Sequence, residues 1–210
     1  MADAPAMRLP YPAERMEEQP ILTERLRLRP ITLDDSDDVW DYQRREEVRT
    51  YIPWPRRTRE EGHEHTAWRS GMRLLAADGD AILLVGELLG EPSLAQGGDR
   101  VVAEVMVRVT SVANAQVELG WLVHPSFQRR GLAAEGTAAA LRLCFEELGA
   151  HRVHAVLDPR NLASAAICRR LGMRHEGTER EREYHDGAWD DLATFGILRR
   201  EWSATDRPLR

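Results

Sequence analysis

Hydrophobic and polar residues alternate in several short segments of the chain, and this period of two predicts half-buried β-strands. Residues 101–109 place five apolar side chains on one face, and residues 116–123 repeat the pattern. Residues 81–89 are almost continuously apolar, and a loop with Gly, Pro and Ser separates them from residues 101–109, which predicts a hairpin. Seven strands are expected in all, at residues 24–31, 81–89, 101–109, 116–123, 152–157, 175–184 and 191–200.

A hydrophobic period near 3.6 residues predicts helices between these strands. In the longest one, Ala134, Leu141 and Phe145 recur on a face that would pack against the sheet, and Gly149 ends the helix. The strand–helix–strand steps around this helix favour parallel pairing there, and therefore a mixed sheet in an α/β fold. Four helices are expected, over residues 32–47, 59–77, 131–148 and 161–171.

The length of the chain, 210 residues, suits one domain with a substantial core. We expect this domain to span residues 21–203. Residues 1–20 are rich in Pro, Glu and Arg and are expected to form a flexible N-terminal arm, followed at the other end by a C-terminal tail over residues 204–210.

Composition and charge argue against several classes of protein. No apolar run approaches the roughly 20 residues that a membrane-spanning helix needs, and the N-terminus lacks the apolar stretch of a signal peptide. The net charge of -6 disfavours a nucleic-acid partner. The two cysteines, Cys144 and Cys168, provide neither a disulfide framework nor a metal-binding spacing. We therefore expect a cytoplasmic protein without a metal site.

The turn between the fourth predicted strand and the long helix carries a candidate ligand site. Residues 128–133 read Gln-Arg-Arg-Gly-Leu-Ala. Gly131 lets the backbone approach a ligand closely, and Ala133 is nearly as small. The first amides of the helix have no partners within it and lie at its positive end, so the turn suits a pyrophosphate. Arg129 and Arg130 add positive charge, whereas Gly131 taken alone is also compatible with an ordinary strand-to-helix turn.

With this turn, the chain resembles the GNAT superfamily of N-acetyltransferases, and within it most of all the ribosomal-protein alanine and serine N-terminal acetyltransferases. The resemblance spans residues 22–202, and the turn together with Asn161-Leu162-Ala163-Ser164 is its most specific part. The further matching segments are Leu22-Thr23-Glu24-Arg25-Leu26-Arg27-Leu28-Arg29-Pro30, Tyr51-Ile52-Pro53-Trp54-Pro55, Glu118-Leu119-Gly120-Trp121, Leu171-Gly172-Met173 and Asp186-Gly187-Ala188-Trp189-Asp190.

The resemblance implies a single-domain GNAT fold with about seven strands, about four flanking helices and a splay between the fourth and fifth strands. It also implies acetyl-coenzyme A as cosubstrate and an amine as acceptor. In this superfamily the strand before the turn pairs with the pantetheine arm through its backbone, the Asn bonds the pantetheine and the Ser lies near the thioester sulfur. The residues implied to bind the coenzyme are Leu122, Val123, Gln128, Arg129, Arg130, Gly131, Leu132, Ala133, Asn161 and Ser164.

Acetyl transfer requires a neutral amine, and the cost of deprotonation depends on the acceptor. At pH 7 an α-amine, with a pKa of about 7.7–8.0, costs roughly 1 kcal/mol to deprotonate, and a lysine near 10.4 costs roughly 4–5 kcal/mol. A modest base therefore suffices for an N-terminal amine. A lysine acceptor would need a stronger base or a desolvating pocket.

Two carboxylates are candidates for this base. The resemblance points to Glu183, which precedes Tyr184 as the catalytic Glu does in the Ala-Glu-Tyr pattern of the ribosomal enzymes, although Arg182 replaces the Ala. Glu118 lies on the strand beside the splay and could act through a water. For each of them, a surface carboxylate paired with an arginine is the alternative. Ser164 is the candidate to protonate the leaving thiolate, and Tyr184 is the alternative donor.

Three functions are compatible with this constellation. The first is an N-terminal protein acetyltransferase, the second an acetyltransferase for a small amine such as a polyamine, amino sugar or antibiotic, and the third a catalytically silent acyl-coenzyme A-binding module. The presence of Glu183, Ser164 and Glu118 favours an enzyme. The loop at residues 51–55 is expected to shape the acceptor site, and an exposed edge strand near the C-terminus offers a surface for a homodimer.

Overall fold

A mixed eight-stranded sheet forms the centre of the computed structural model, which describes residues 6–95, 97–185 and 187–203. The strands of the chain are β1 (Tyr11–Pro12), β2 (Ile21–Leu22), β3 (Leu26–Pro30), β4 (Leu74–Leu75), β5 (Ala81–Pro92), β6 (Asp99–Ser111), β7 (Gln116–Val123), β8 (Arg152–Leu157), β9 (Arg174–His185) and β10 (Ala188–Leu198). The order in the sheet is β2-β3-β5-β6-β7-β8-β10-β9, and β1 pairs with β4 in a second sheet. All seven strands predicted from the sequence are present.

Pairing in the main sheet is antiparallel except between β7 and β8, which are parallel. A connection that contains the long helix joins these two strands, as the strand–helix–strand pattern predicts. β5 and β6 form the predicted hairpin. β9 lies at the edge of the sheet and is exposed along nearly its whole length.

Helices cover both faces of the sheet and are shorter than the sequence predicts. They are α1 (Glu14–Glu18), α2 (Ser36–Gln43), α3 (Glu46–Arg49), α4 (Arg59–Ser70), α5 (Leu132–Arg142), α6 (Leu162–Arg170) and α7 (Arg199–Ser203). The helix expected over residues 32–47 is divided into a short 3-10 turn, α2 and α3, and the long helix ends in a π-helical turn over Leu143–Glu147. No helix among the described residues is long and apolar enough to cross a membrane.

Two apolar layers fix the position of the sheet. On one face, α5 packs on inward residues of β6 and β7 such as Val107 and Leu119, both of which are buried. On the other face, Val39 and Tyr42 of α2 pack on Val85 of β5. β7 lies between these layers and leads into the candidate ligand turn, so the turn starts from a rigid base.

The described part of the N-terminal segment, residues 6–20, contradicts the predicted flexible arm. Tyr11 and Met16 are 3% and 2% exposed and belong to the main core. β1 pairs with β4, and the amide of Ala13 donates to the carbonyl of Arg73 at 2.8 Å. Because residues 74–75 form β4, α4 ends at Ser70 and not at residue 77, as the sequence had predicted. Periodicity missed both features because the partner strands lie far apart in the chain. Residues 1–5 of the expected arm and 204–210 of the expected tail lie outside the described residues.

Candidate active site

β7 and β8 separate after a short parallel ladder, and the predicted splay is therefore confirmed. The ladder joins Gln116–Glu118 to Arg152–His154 and then stops. β7 stays paired with β6, and β8 with β10, to their last residues. Within the described part of the chain, the facing edges of residues 119–123 and 155–157 therefore have no strand partner. An extended arm that contains amide groups, such as pantetheine, fits this edge through the same backbone hydrogen bonds that join strands.

The turn after β7 holds two residues in left-handed backbone conformations. Arg129 has φ +60° and Gly131 has φ +81°, and α5 begins directly after Gly131. Residues 128–131 are exposed. Backbone N–H groups that converge in such a turn, at the N-terminus of an eleven-residue helix, form a concave anion site. This geometry fits the pyrophosphate of a coenzyme.

Several side chains of this turn make contacts that stabilise it. The amide of Gln128 donates through Nε2 to the carbonyl of Val123 at 3.1 Å. Leu132 is 1% exposed and packs in a core cluster with Phe127. The guanidinium of Arg130 lies over the Phe127 ring, 5.4 Å from its centre. Gln128 and Leu132 are thus available to a ligand mainly through their backbone.

An ion pair that sequence reasoning missed fastens the turn to the rest of the sheet. Glu135, in the first turn of α5, accepts from Arg25 Nε at 2.8 Å and Nη2 at 2.6 Å, and from the Thr23 hydroxyl at 2.6 Å. Arg25 Nη1 also donates to the carbonyl of Arg130 at 2.6 Å. Burial alone would raise the pKa of Glu135, but these hydrogen bonds lower it overall. The only sequence signal was the position of Arg25 in a segment shared with the resembled family.

Asn161 and Ser164 lie at the start of α6, directly after the free end of β8. Asn161 is the N-cap, and its Oδ1 accepts from the backbone amide of Ser164 at 3.0 Å. This contact satisfies one of the free amides of the helix and fixes Ser164 in the first turn. Both residues are partly exposed.

Glu118 and Glu183 lie on the same face of the sheet. Glu118 pairs with His154, His154 pairs with Gly196, and Glu183 pairs with Asp190, an even number of residues from Gly196 along β10. Because side chains alternate along a strand, all of these residues share one face. The structure therefore brings together the two carboxylates that the sequence offered as candidate bases.

The surroundings of Glu118 favour its neutral form. Burial raises the pKa of this carboxyl, the nearby Arg108 guanidinium lowers it, and the negative charge of Glu183 raises it again, with a net rise. Arg108 Nη1 lies 3.6 Å from Glu118 Oε2. A carboxylate with a raised pKa is a stronger base, and its side chain is only 20% exposed.

A second ion pair joins the loop before α6 to the β9–β10 hairpin. Arg160, in the loop before α6, donates to Asp190 at 2.7 Å and to Asp158. Asp190 is the cross-strand neighbour of Glu183. The loop that carries Asn161 is therefore linked directly to the hairpin that carries Glu183. Sequence spacing contained no sign of this link.

The loop at residues 51–55 covers the same face of the sheet as Glu118. Trp54 packs in the cluster that includes Leu122 and Met106, which lie on the same face of β7 and β6 as Glu118. Beneath it, Arg69 lies 5.8 Å from the centre of the Trp54 ring. Trp54 therefore lies on the face of the sheet that carries Glu118, and its part in shaping the acceptor site stays a prediction.

The histidine at the end of β7 has a structural role. His124 is 1% exposed, its Nδ1 accepts from the amide of Ser126 at 3.0 Å, and its Nε2 lies 2.9 Å from Asp41 Oδ2. Nε2 must therefore carry the proton that bonds Asp41. Across the described residues, no cluster of three or more His, Cys, Asp or Glu side chains is arranged to hold a metal ion.

Known proteins match both the sequence and the fold. Residues 25–174 match the acetyltransferase (GNAT) domain family. The chain is 27% identical over 188 residues to the uncharacterized N-acetyltransferase YnaD of Bacillus subtilis, which covers 87% of this chain and 99% of YnaD. It is 29% identical over 85 residues to the ribosomal protein uS5-alanine N-acetyltransferase of Escherichia coli, which covers 40% of this chain and 44% of that protein. The crystal structure of a GNAT-family acetyltransferase from Bacillus anthracis superposes with a TM-score of 0.74 at 26% identity, over 87% of this chain and 100% of the other.

Proposed function

The chain belongs to the GNAT family of acetyltransferases and is an acyltransferase, and on this basis we propose that it moves the acetyl group of acetyl-coenzyme A onto the N-terminal α-amine of a protein. The single observation that carries the proposal is the half-buried Glu118, with its raised pKa, on the same face as Glu183 beside the open strand edge. A binding module would need the strand edge and the turn, but not a base at this position.

Acetyl-coenzyme A supplies an activated acetyl thioester, which is the cosubstrate of this family. Arg129 to Ala133 would hold its pyrophosphate through backbone amides and positive charge. The free edge of β7 at Leu122 and Val123 would pair with the pantetheine arm, and Asn161 would bond the same arm at the mouth of the splay. The left-handed backbone at Arg129 and Gly131 supports this assignment.

The proton transfers fall to side chains on either side of the splay. Glu118 or Glu183, directly or through a water, would take the proton from the acceptor ammonium, so that the free amine can attack the thioester carbon. The new C–N bond forms as the C–S bond breaks, and the nitrogen then gives up its extra proton, which replaces the one that the thiolate takes. Ser164, fixed in the first turn of α6, would return a proton to the leaving sulfur, and Tyr184 is the alternative donor.

An α-amine is the acceptor that this arrangement serves best. Removal of its proton at pH 7 costs only roughly 1 kcal/mol, which a carboxylate can provide. The similarity of 85 residues to the uS5-alanine enzyme supports the same acceptor class. Cys144 and Cys168 are both free and buried, which supports action in the reducing cytoplasm.

Thiol release from acetyl-coenzyme A tests the proposal. The purified protein would receive pooled peptides with free and different first residues, the same peptides with blocked N-termini, or pooled small amines. We expect release only with free N-termini. Release only with small amines would show that the acceptor is a small molecule, such as a polyamine, amino sugar or antibiotic, and not a protein N-terminus. Tight coenzyme binding without release in any pool would favour a silent binding module and contradict the proposal.

A further inference from the structure

The β9–β10 hairpin is irregular directly before Glu183. Glu179 pairs with Leu192 and Glu183 pairs with Asp190, so the three residues Arg180 to Arg182 of β9 lie opposite the single residue Asp191 of β10. Extra residues on one strand of an antiparallel pair form a β-bulge, which bends the strand and increases its twist.

A left-handed residue and one hydrogen bond hold this bulge. Glu181 has φ +51°, a conformation that costs a residue with a side chain roughly 1–2 kcal/mol. Its amide donates to Asp191 Oδ1 at 2.8 Å. Asp191 is half-buried, whereas Glu181 is exposed. The carboxylate thus supplies the acceptor that the regular ladder would have supplied.

The bulge has a consequence for the candidate bases. Glu118 is on β7 and Glu183 is on β9, three positions away in the strand order, which in a flat sheet corresponds to on the order of 14 Å. The charge of Glu183 nevertheless raises the pKa of Glu118. The two carboxyls share one face of the sheet, and the bulge, which bends and twists β9, lies directly before Glu183.

We propose that Asp191 is a positioning residue for the acceptor site: by holding the bulge at Glu181, it turns Glu183 towards Glu118. The inference rests on the proposed roles of these two carboxylates. Asp191 does not itself touch the reacting atoms. The role differs from ordinary support of a hairpin because it predicts an effect on Glu118, a residue two strands beyond the hairpin.

Titration of Glu118 by carboxyl NMR in the substrate-free protein tests this directly. The charged or titratable groups that face Glu118 are Arg108 on β6, His154 on β8 and Glu183 on β9. We expect Glu183→Gln and Asp191→Ala to lower the pKa of Glu118 by similar amounts. Asp191→Asn keeps an oxygen acceptor but loses the charge, so it should leave the pKa of Glu118 near the wild-type value.

Two further variants separate this effect from a general loss of structure. Asp78 also accepts one loop amide, from Val112 at 2.6 Å, and Asp78→Ala should leave the pKa of Glu118 unchanged. Glu181→Gly accepts a positive φ without support, so Glu181→Gly in the Asp191→Ala background should restore the wild-type pKa. A pKa of Glu118 that does not fall in Asp191→Ala, or that falls equally in Asp191→Asn, would overturn the inference.

Kinetics provide the second readout. In Asp191→Ala, kcat/KM for the acceptor should fall about 10- to 100-fold, and its acid limb should move to lower pH, while KM for acetyl-coenzyme A is unchanged. An equal rise in both KM values with an unmoved acid limb would contradict a positioning role. If the wild-type protein turned over no amine, the proposed function would fail, whereas the NMR titration would still decide the role of Asp191.

Discussion

The guanidinium of Arg25, the residue before β3, and the carboxylate of Glu135 join the start of this strand to the first turn of α5, through bonds of 2.8 and 2.6 Å. Arg25 also donates to the carbonyl of Arg130. These bonds hold the backbone of the turn at Arg130 and the first turn of α5 to the same guanidinium. The pair therefore stabilises the shape of the turn that is proposed to bind the coenzyme.

We expect Glu135→Ala to weaken coenzyme A binding about tenfold or more, because the variant leaves the Arg25 guanidinium and the Thr23 hydroxyl without their shared acceptor. Calorimetric titration with coenzyme A measures this effect. The control is Glu17→Ala, which breaks the ion pair of Glu17 with Arg73, 2.7 Å long, at the N-terminal segment. Equal affinity losses in both variants would contradict the role of Glu135.

A second prediction concerns the left-handed glycine of the turn. Gly131→Ala should cost about 1–2 kcal/mol of stability, because an alanine at φ +81° is strained, and it should also weaken coenzyme A binding. Gly79 has φ +93° with open space around it, so Gly79→Ala carries similar strain away from the site. We expect unfolding curves to show comparable losses and calorimetry to show weaker binding for Gly131→Ala alone. Unchanged coenzyme affinity in Gly131→Ala would remove the turn from the site.

The elements that the sequence predicted well are those with local causes. β7, the turn at residues 128–131 and α5 follow one another in the chain, so alternation, a glycine and a helical period were enough to predict them. The seven strands follow from the same local patterns, whereas the splay between β7 and β8 was implied by the resemblance to the GNAT superfamily. The N-terminal segment was not predicted, because Tyr11 and Met16 are buried through pairing with a strand far along the chain.

The contacts that organise the site were beyond sequence reasoning for the same reason. Arg25 and Glu135 are 110 positions apart, and in a chain with 30% charged residues many such pairs are conceivable. The bulge at Glu181 contains no glycine, so the sequence carried no sign of its left-handed backbone. The positions of Glu118 and Glu183 on one face follow only from the register of four strands.

The pH dependence of catalysis should reflect the neighbours of Glu118. Since the base must be ionised to accept a proton, kcat/KM falls as pH drops through the pKa of Glu118, which lies above that of an ordinary Glu. Arg108 lowers this pKa, so Arg108→Ala should move the acid limb to higher pH, whereas Glu183→Gln should move it to lower pH. Profiles of kcat/KM between pH 4 and 9 distinguish the two shifts. An acid limb that moves in neither variant would exclude Glu118 as the base.

The buried pair beneath Trp54 is expected to govern stability. Arg69 donates to both oxygens of Glu104, at 2.6 and 3.0 Å, and the Tyr42 hydroxyl donates to the same carboxylate at 2.5 Å. Arg69→Met leaves a buried carboxylate unpaired, which should cost about 3–5 kcal/mol. Arg73→Met, which breaks an exposed pair, should cost about 1 kcal/mol or less. Urea unfolding at pH 7 measures both, and equal losses would contradict a buried ion pair.

One peptide with a free N-terminus and an internal lysine offers the most direct test of the proposed activity. The chain contains no lysine, so every acetylated lysine detected after incubation with acetyl-coenzyme A belongs to the peptide. We expect fragment mass spectrometry to find the acetyl group on the α-amine, with transfer reduced about 100-fold or more in the variant that lacks the base, Glu118→Gln or Glu183→Gln. Acetylation of the lysine in preference to the α-amine, or no transfer to either amine by the wild-type protein, would contradict the proposed function.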